Sequence, residues 1–424
     1  MAAMPLPFLF GRLFGLLSLI VLATGVWFVV DWFDEDLRSD AWLWTGAVLI
    51  ALSLFGRLPM MLMFRKEQDR SLDMPEGTVE AVGGAGGSRL HIECFGPKDA
   101  RPIILTHGWG LNRTIWARTI RNLSQHYQVL VWDLPGLGKS SRPLDGVYSL
   151  ERFACDLKSV LTLAEGRPAI LVGHSIGGMT ILTLARDHPE LFRREVAGVA
   201  LINTTAMMPL RTAFMDKFLL AARKPLIEPL LRVEIWLSPL MSFMNWLGYM
   251  NGTAHLLARF FGFGDHPSRQ EVDHVARLSA KHPAGVQAKG MCAMLRWDAE
   301  EVPARLQVPT LVIGGKRDLL TKFEASEFMA EAAPQGELET MEAAGHCGLI
   351  ELSEQYDECL HRFSERVFDR VDQLNKARHA DQLRRSPEIW GEAHREPRTW
   401  GEEPRDGDDT PSCADDAGRP AGRA

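Results

Sequence analysis

Ala169-Ile170-Leu171-Val172-Gly173-His174-Ser175-Ile176-Gly177-Gly178 decides how the rest of the chain reads. Its first four residues form a short apolar run suited to a buried strand. Gly177 to Asp187 then carries apolar residues three and four apart, as an amphipathic helix does. Between the two, Gly-x-Ser-x-Gly puts a serine on a strand-to-helix turn, with Gly173 and Gly177 leaving room where the backbones pass close together. Such a turn strains the serine and exposes its hydroxyl at the carboxyl edge of a sheet, which makes Ser175 a candidate nucleophile.

The flanking sequence keeps the alternation of strand and helix. Pro102 to Thr106, Gln128 to Asp133, Val196 to Asn203 and Thr310 to Gly314 are short apolar runs of the kind found in buried parallel strands. Leu150 to Ala164 has helical periodicity, and Gly77 to Gly96 reads as an antiparallel hairpin turning at Gly83-Gly84-Ala85-Gly86-Gly87. That glycine cluster opens no helix, so it is a turn and not a dinucleotide fingerprint. Asp133-Leu134-Pro135-Gly136-Leu137-Gly138-Lys139-Ser140 ends like a phosphate loop, yet Asp133 stands where the first glycine belongs. Residues 75 to 371 are thus predicted to form an α/β domain.

A serine needs a base to take its proton and a third group to hold that base in the useful tautomer. Gly315-Lys316-Arg317-Asp318 places a carboxylate just past a strand end, with Asp298 as the competing acid. Gly345-His346-Cys347 places a histidine in a loop before the final helix, where Cys347 reads as filler beside the base. Ser, Asp, His is the chain order this topology imposes. His107-Gly108-Trp109-Gly110 follows directly on Thr106. Fixed backbone N–H groups stabilise the negative charge that builds on an attacked carbonyl oxygen, and the amides of Trp109 and Ile176 are the expected donors. Gly108 and Gly110 let the loop approach the substrate, His107 braces it, and His174 packs or hydrogen-bonds beside the serine.

His-Gly-Trp-Gly at 107–110, the Asp133 to Ser140 segment, Gly-His-Ser-Ile-Gly-Gly at 173–178, Gly-Gly-Lys-Arg-Asp at 314–318 and Gly-His-Cys-Gly-Leu-Ile-Glu at 345–351 together cover about residues 77 to 371. In them the chain resembles the serine hydrolases of the α/β-hydrolase superfamily, in the branch of lipases, esterases and non-haem peroxidases. The resemblance implies an α/β-hydrolase fold, an eight-stranded mostly parallel sheet with flanking helices, and a triad of Ser175, Asp318 and His346. It makes the Asp133 segment structural. Epoxide hydrolases and haloalkane dehalogenases share the His-Gly-Trp feature but use aspartate as nucleophile, so Ser175 argues against both.

About a hundred residues, roughly 205 to 305, separate the strand ending near Asn203 from the next, far more than a usual connection. They are expected to form an inserted helical cap, rich in Met, Phe and Trp (Met207, Met244, Phe218, Phe260, Trp236, Trp246). Core packing accounts for such a composition, and so does a lid that offers an apolar acyl tunnel and touches a bilayer.

Residues 1 to 70 are predicted to be a membrane anchor of two transmembrane helices, about 13–33 and 41–64. Leu13 to Val30 is an uncharged run about 27 Å long as a helix. The second stretch is interrupted by Arg57 and Pro59. Asp31, Asp34, Glu35, Asp36 and Asp40 crowd the connection, whereas Arg12 precedes the pair and Arg65, Lys66 and Arg70 follow it, so the positive-inside rule puts both ends and the catalytic domain in the cytoplasm. Failure of the second stretch to span would reverse that compartment. A cleaved signal peptide is the competing reading, since Arg12, the apolar run, Ala23 and Gly25 roughly fit one. Residues 372 to 424 are polar and proline-containing and are expected to be a disordered tail, with two similar Trp-Gly-Glu decapeptides at Ser386–Arg395 and Glu396–Arg405.

Hydrophobic residues at 46% and charged residues at 24% exclude both a wholly disordered chain and a polytopic membrane protein. Forty-seven Lys plus Arg against 54 Asp plus Glu, net −7, leave no basic excess for nucleic acid. The six cysteines show no Cys-x-x-Cys spacing, which argues against a disulfide framework or a zinc site. No metal or organic cofactor is expected. The sequence therefore predicts a membrane-anchored serine hydrolase that cleaves a lipid or other hydrophobic carboxylic ester through an acyl-enzyme. A perhydrolase or acyltransferase would use the same residues, and an inactive hydrolase-fold binding module is the non-enzymatic alternative.

Overall fold

In a computed structural model that describes residues 5–34, 39–64 and 72–385, eight strands form one sheet. They are β1 (Thr78–Gly83), β2 (Arg89–Phe95), β3 (Pro102–Thr106), β4 (Gln128–Trp132), β5 (Ala169–His174), β6 (Val196–Ile202), β7 (Thr310–Gly315) and β8 (Gly336–Met341). Their order is β1-β2-β4-β3-β5-β6-β7-β8. β1 and β2 are antiparallel, turning over the glycine cluster, and β3 to β8 run parallel. Every residue of β3, β4, β5, β6 and β7 is buried, as expected for strands covered on both faces. The sequence reading did not foresee β8. Gly-Glu-Leu-Glu-Thr-Met has too few apolar residues to signal a core strand, because it lies at the sheet edge, where Glu337 and Glu339 pair with Arg366 and Arg362 of the last helix.

Two helices precede the sheet, α1 (Pro5–Asp34) and α2 (Asp40–Phe55). α3 (Leu150–Leu161) and α4 (Ile176–Asp187) pack on each other and flank the central strands. The long insertion after β6 is helical, as expected of a cap. Its main elements are α5 (Glu228–Trp236), α6 (Ser238–Asn251), α7 (Thr253–Gly262), α8 (Arg269–Lys281) and α9 (Ala284–Met294). α8 starts at a reciprocal cap in which the Ser268 hydroxyl accepts from the Glu271 amide and the Glu271 carboxylate accepts from the Ser268 amide. α10 (Phe323–Ala332) and α11 (Ser353–Arg385) complete the domain.

Two expected boundaries differ. The polar tail was placed from 372 onward, but α11 continues through Arg385. No Gly or Pro interrupts 353–385, and good helix formers carry the helix on after its last buried residues, Val367 and Phe368. Ser386 to Ala424, with both Trp-Gly-Glu decapeptides, lie outside the described residues. The second stretch, expected at 41–64, is the helix Asp40–Phe55 followed, across a Gly56 that keeps right-handed helical backbone (φ −58°, ψ −23°), by the short helix Arg57–Met61. At 1.5 Å per residue Asp40–Phe55 alone reaches about 24 Å, against a bilayer core of about 30 Å. Gly56 abuts the Asn251 carbonyl, and the Arg57 guanidinium lies 4.6 Å over the Tyr249 ring. Among the described residues α1 alone is long and apolar enough to cross a membrane, over Pro7–Asp34.

α1 meets two different partners along its length. Gly25 faces Gly46 of α2, where the absence of side chains lets the two axes approach closely. Nearer its start, Arg12 pairs with Glu234 of α5 and donates to Asn245 of α6, both at 2.9 Å. Asn251 of α6 donates to the Ser18 hydroxyl at 2.7 Å, and Phe10 packs on Phe261 of α7. The first helix is thus built into the cap.

Candidate active site

Ser175 sits between β5 and α4 with φ 54° and ψ −120°, the left-handed backbone expected of a strained turn. A Cβ on Gly173 would stand 2.4 Å from the Gly177 carbonyl carbon, and one on Gly177 2.4 Å from the Thr106 oxygen, so both positions require glycine. The turn is fastened from β6, because the Ser175 amide donates to the Ile202 carbonyl at 3.0 Å and the Thr204 hydroxyl donates to the Ser175 carbonyl at 2.6 Å.

Asp318 and His346 come from loops after β7 and β8 and meet directly. His346 Nδ1 donates to Asp318 Oδ2 at 2.8 Å, which leaves Nε2 as the free ring nitrogen. Asp318 also accepts from the amides of Leu320 and Thr321 at 2.7 and 3.0 Å and from the Thr321 hydroxyl at 2.8 Å. So many donors fix the position of the carboxylate. Ser175, Asp318 and His346 are 6%, 4% and 3% exposed. Asp298 lies elsewhere, on the surface near the start of the cap, beside Arg211 and the Met208 amide. Cys347 is fully buried and its thiol is pushed up to about 12 by that burial, so it stays protonated at neutral pH.

The His107 to Gly110 loop crosses beside the serine, since a Cβ on Gly108 would lie 3.3 Å from the Ser175 Cβ. His107 Nε2 accepts from the Leu134 amide at 3.0 Å, so its Nδ1 carries the proton and donates to the Gly108 carbonyl at 2.8 Å. Burial lowers the His107 pKa and keeps the ring neutral. Gly110 has φ +75°, and its carbonyl accepts from His282 Nδ1. Trp109 is held by its indole N–H, which donates to the Gln287 carbonyl of α9 at 3.0 Å. Ile176 opens α4, where first-turn amides have no partner inside the helix. The Asp133 carboxylate accepts from Arg113 and the Lys139 amide, folding its own loop about itself.

Two further residues hold the loop that carries the base. His174 Nε2 donates to the His346 carbonyl at 2.8 Å, and burial holds its pKa well below the ordinary value, so the ring stays neutral. Asn203 was read from sequence only as a strand end. Its Nδ2 donates to the carbonyls of Gly345 and His346, both at 2.9 Å, and its Oδ1 accepts from the Gly315 amide at 3.0 Å. One side chain therefore joins the acid loop to the base loop. Its φ of 43° is a conformation that asparagine tolerates better than most residues. A polar residue closing the apolar run Val196 to Ile202 was the available signal.

The family model for the alpha/beta hydrolase fold matches residues 101–352, and the chain belongs to that family. Among curated relatives, the pimeloyl-[acyl-carrier protein] methyl ester esterase of Aeromonas hydrophila subsp. hydrophila is 25% identical over 277 residues, covering 65% of this chain and 98% of its own. The putative carbamate hydrolase of Pseudomonas savastanoi pv. phaseolicola is 28% identical over 262 residues, covering 59% of this chain and 89% of its own. Among solved structures, a membrane phospholipase A, described as a bacterial virulence factor, has TM-score 0.55 at 22% identity, over 84% of this chain and 98% of its own. The protein is a hydrolase of the α/β fold with esterases among its relatives.

Proposed function

We propose that this protein is a membrane-anchored serine esterase acting on a lipid or other hydrophobic carboxylic ester. The observation that carries the reading is the 2.8 Å bond from His346 to Asp318, joined through His174 to the strained turn of Ser175. In the proposed reaction His346 Nε2 takes the Ser175 proton as Oγ attacks the ester carbonyl. The oxyanion is met by the amides of Trp109 and Ile176. Collapse breaks the ester bond, and the leaving alkoxide takes the proton from His346. Water, deprotonated by the same nitrogen, then releases the acid and restores Ser175.

The membrane part of the reading rests on α1 and on the cap. α1 is apolar over Pro7–Asp34 and is exposed along much of that length. Trp236, Trp246 and Phe260 of the cap are exposed on the elements into which α1 is built. With α1 and the stretch 40–61 both spanning, the basic residues flanking the pair put the catalytic domain on the cytoplasmic side. The printed names of a methyl ester esterase and a membrane phospholipase A among similar proteins fit an ester substrate and a lipid one. A fluorophosphonate probe tests the core of the reading. Wild-type protein is expected to label at Ser175 and Ser175→Ala to remain unlabelled; labelling elsewhere, or none, overturns it. Hydrolysis of a long-chain ester in vesicles, compared with a short water-soluble ester, tests the lipid preference.

A further inference from the structure

A cavity of about 250 Å³ opens where α5 and α9 of the cap meet the loop Gly146-Val147-Tyr148. Three lining side chains are cationic, Arg232, Lys289 and Arg296, against one carboxylate, Glu228. Glu228 is already paired with Arg223 at 2.9 Å. Among the described residues neither the Arg232 nor the Arg296 guanidinium has an ion-pair or hydrogen-bond partner, whereas those of Arg186, Arg211 and Arg223 are all paired with carboxylates. Lys289 donates to the Gly146 carbonyl at 2.8 Å and lies over the Tyr148 ring, so its ammonium is fixed at the cavity wall. Uncompensated cations around a concavity focus a positive potential, and the guanidinium fork matches phosphate oxygens.

The surroundings narrow the source of the anion. On α5, Val233 and Trp236 flank Arg232 and are exposed, Trp236 to 80%. Cations set among exposed aliphatic and indole side chains suit the headgroup level of a bilayer. On the inner side, the Tyr148 ring packs edge-on against Trp109 at 6.0 Å. The cavity is therefore one aromatic ring away from the loop that carries an expected oxyanion donor.

We propose that this cavity binds the phosphate of a phospholipid and so selects phosphate-bearing esters for the Ser175 site, an inference that rests on the esterase reading above. Cys292 lines the cavity and supplies a readout independent of hydrolysis. Its alkylation by iodoacetamide would be followed by peptide mass spectrometry in the full chain carrying Ser175→Ala, in neutral detergent. Dihexanoylphosphatidylglycerol is expected to slow that alkylation at least fivefold, with dihexanoylglycerol and inorganic phosphate at equal concentration without effect. Arg232→Gln with Arg296→Gln is expected to remove the protection. Equal protection by inorganic phosphate would reassign the cavity to the free anion and overturn the lipid source. Protection by the neutral diester, or by no ligand, would overturn the proposal outright. In enzyme with Ser175 intact, the double variant is expected to lose about tenfold in kcat/KM for the phospholipid and nothing for the neutral diester; equal loss on both overturns selection. If Ser175 fails to label while Cys292 is protected, the esterase reading fails and the binding site stands.

Discussion

β5 and α1 draw on the same apolar residues and meet opposite surroundings. Ile170, Leu171 and Val172 are completely or almost completely buried, whereas Leu16, Ile20 and Val30 of α1 are each 52% exposed. β5 lies between parallel neighbours β3 and β6 and delivers a nucleophile to one fixed point. α1 is packed along one side only, by the cap and by α2, and leaves the rest of its apolar surface open. Burial explains the first segment without any further solvent. For the second, water is an unfavourable neighbour, at about 25 cal/mol for each Å² of apolar surface left exposed, and a bilayer is not.

Changes at the core should cost activity and changes at the periphery should cost attachment. The largest effect is expected for Ser175→Ala, with hydrolysis falling by about 10⁴-fold or more while the thermal midpoint stays within a few degrees. A variant retaining a tenth of the activity would dissolve the distinction. Next, Arg12→Met strands Glu234, whose side chain is only 3% exposed, and breaking a buried pair costs about 3 kcal/mol. The thermal midpoint in detergent should drop, and adding Glu234→Leu should recover most of the loss. An unchanged midpoint would mean that α1 is not part of the folded cap.

Asn203→Gly keeps the left-handed backbone and deletes the amide that joins the two loops. Misplacing the imidazole by about 1 Å should lower kcat roughly 10²-fold with KM nearly constant. Equal changes in both would give Asn203 a role in binding instead. The smallest effect concerns acid stability. His274 and His282 are lowered from 6.5 to about 4 chiefly by burial. Between those values the unfolded chain binds the extra protons, so stability is complete above about 6.5 and is lost as pH falls toward about 4. Urea midpoints measured from pH 7 to 4 should fall, and less steeply in His274→Gln, whose ring lies among Arg277, Asp273 and Arg118.

The α/β core was legible because each of its decisions is local. Five strands could be read within a residue or two, since a buried parallel strand is a short apolar run and little else resembles one beside Gly-x-Ser-x-Gly. Ser175 and Asp318 stood out as candidates by their place at strand ends, and His346 by its loop before the final helix. Asn203 did not, because its importance lies in bonds to main-chain atoms more than a hundred residues away, which leave no mark of spacing. The second helical stretch was legible in its extent but not in its break: helix covers Asp40–Phe55 and Arg57–Met61, and Gly56, where it divides, lies against Asn251 of the cap. Edge strand β8 and the continuation of α11 were missed because neither is defined by an apolar pattern.

The bond between Arg12 and Glu234 ties the motion of two bodies together. On the proposed reading α1 is a rod about 45 Å long held in lipid. A cap bolted to it cannot swing like a free flap without dragging that rod sideways through the acyl chains. Cap and rod would then move as one piece relative to the bilayer.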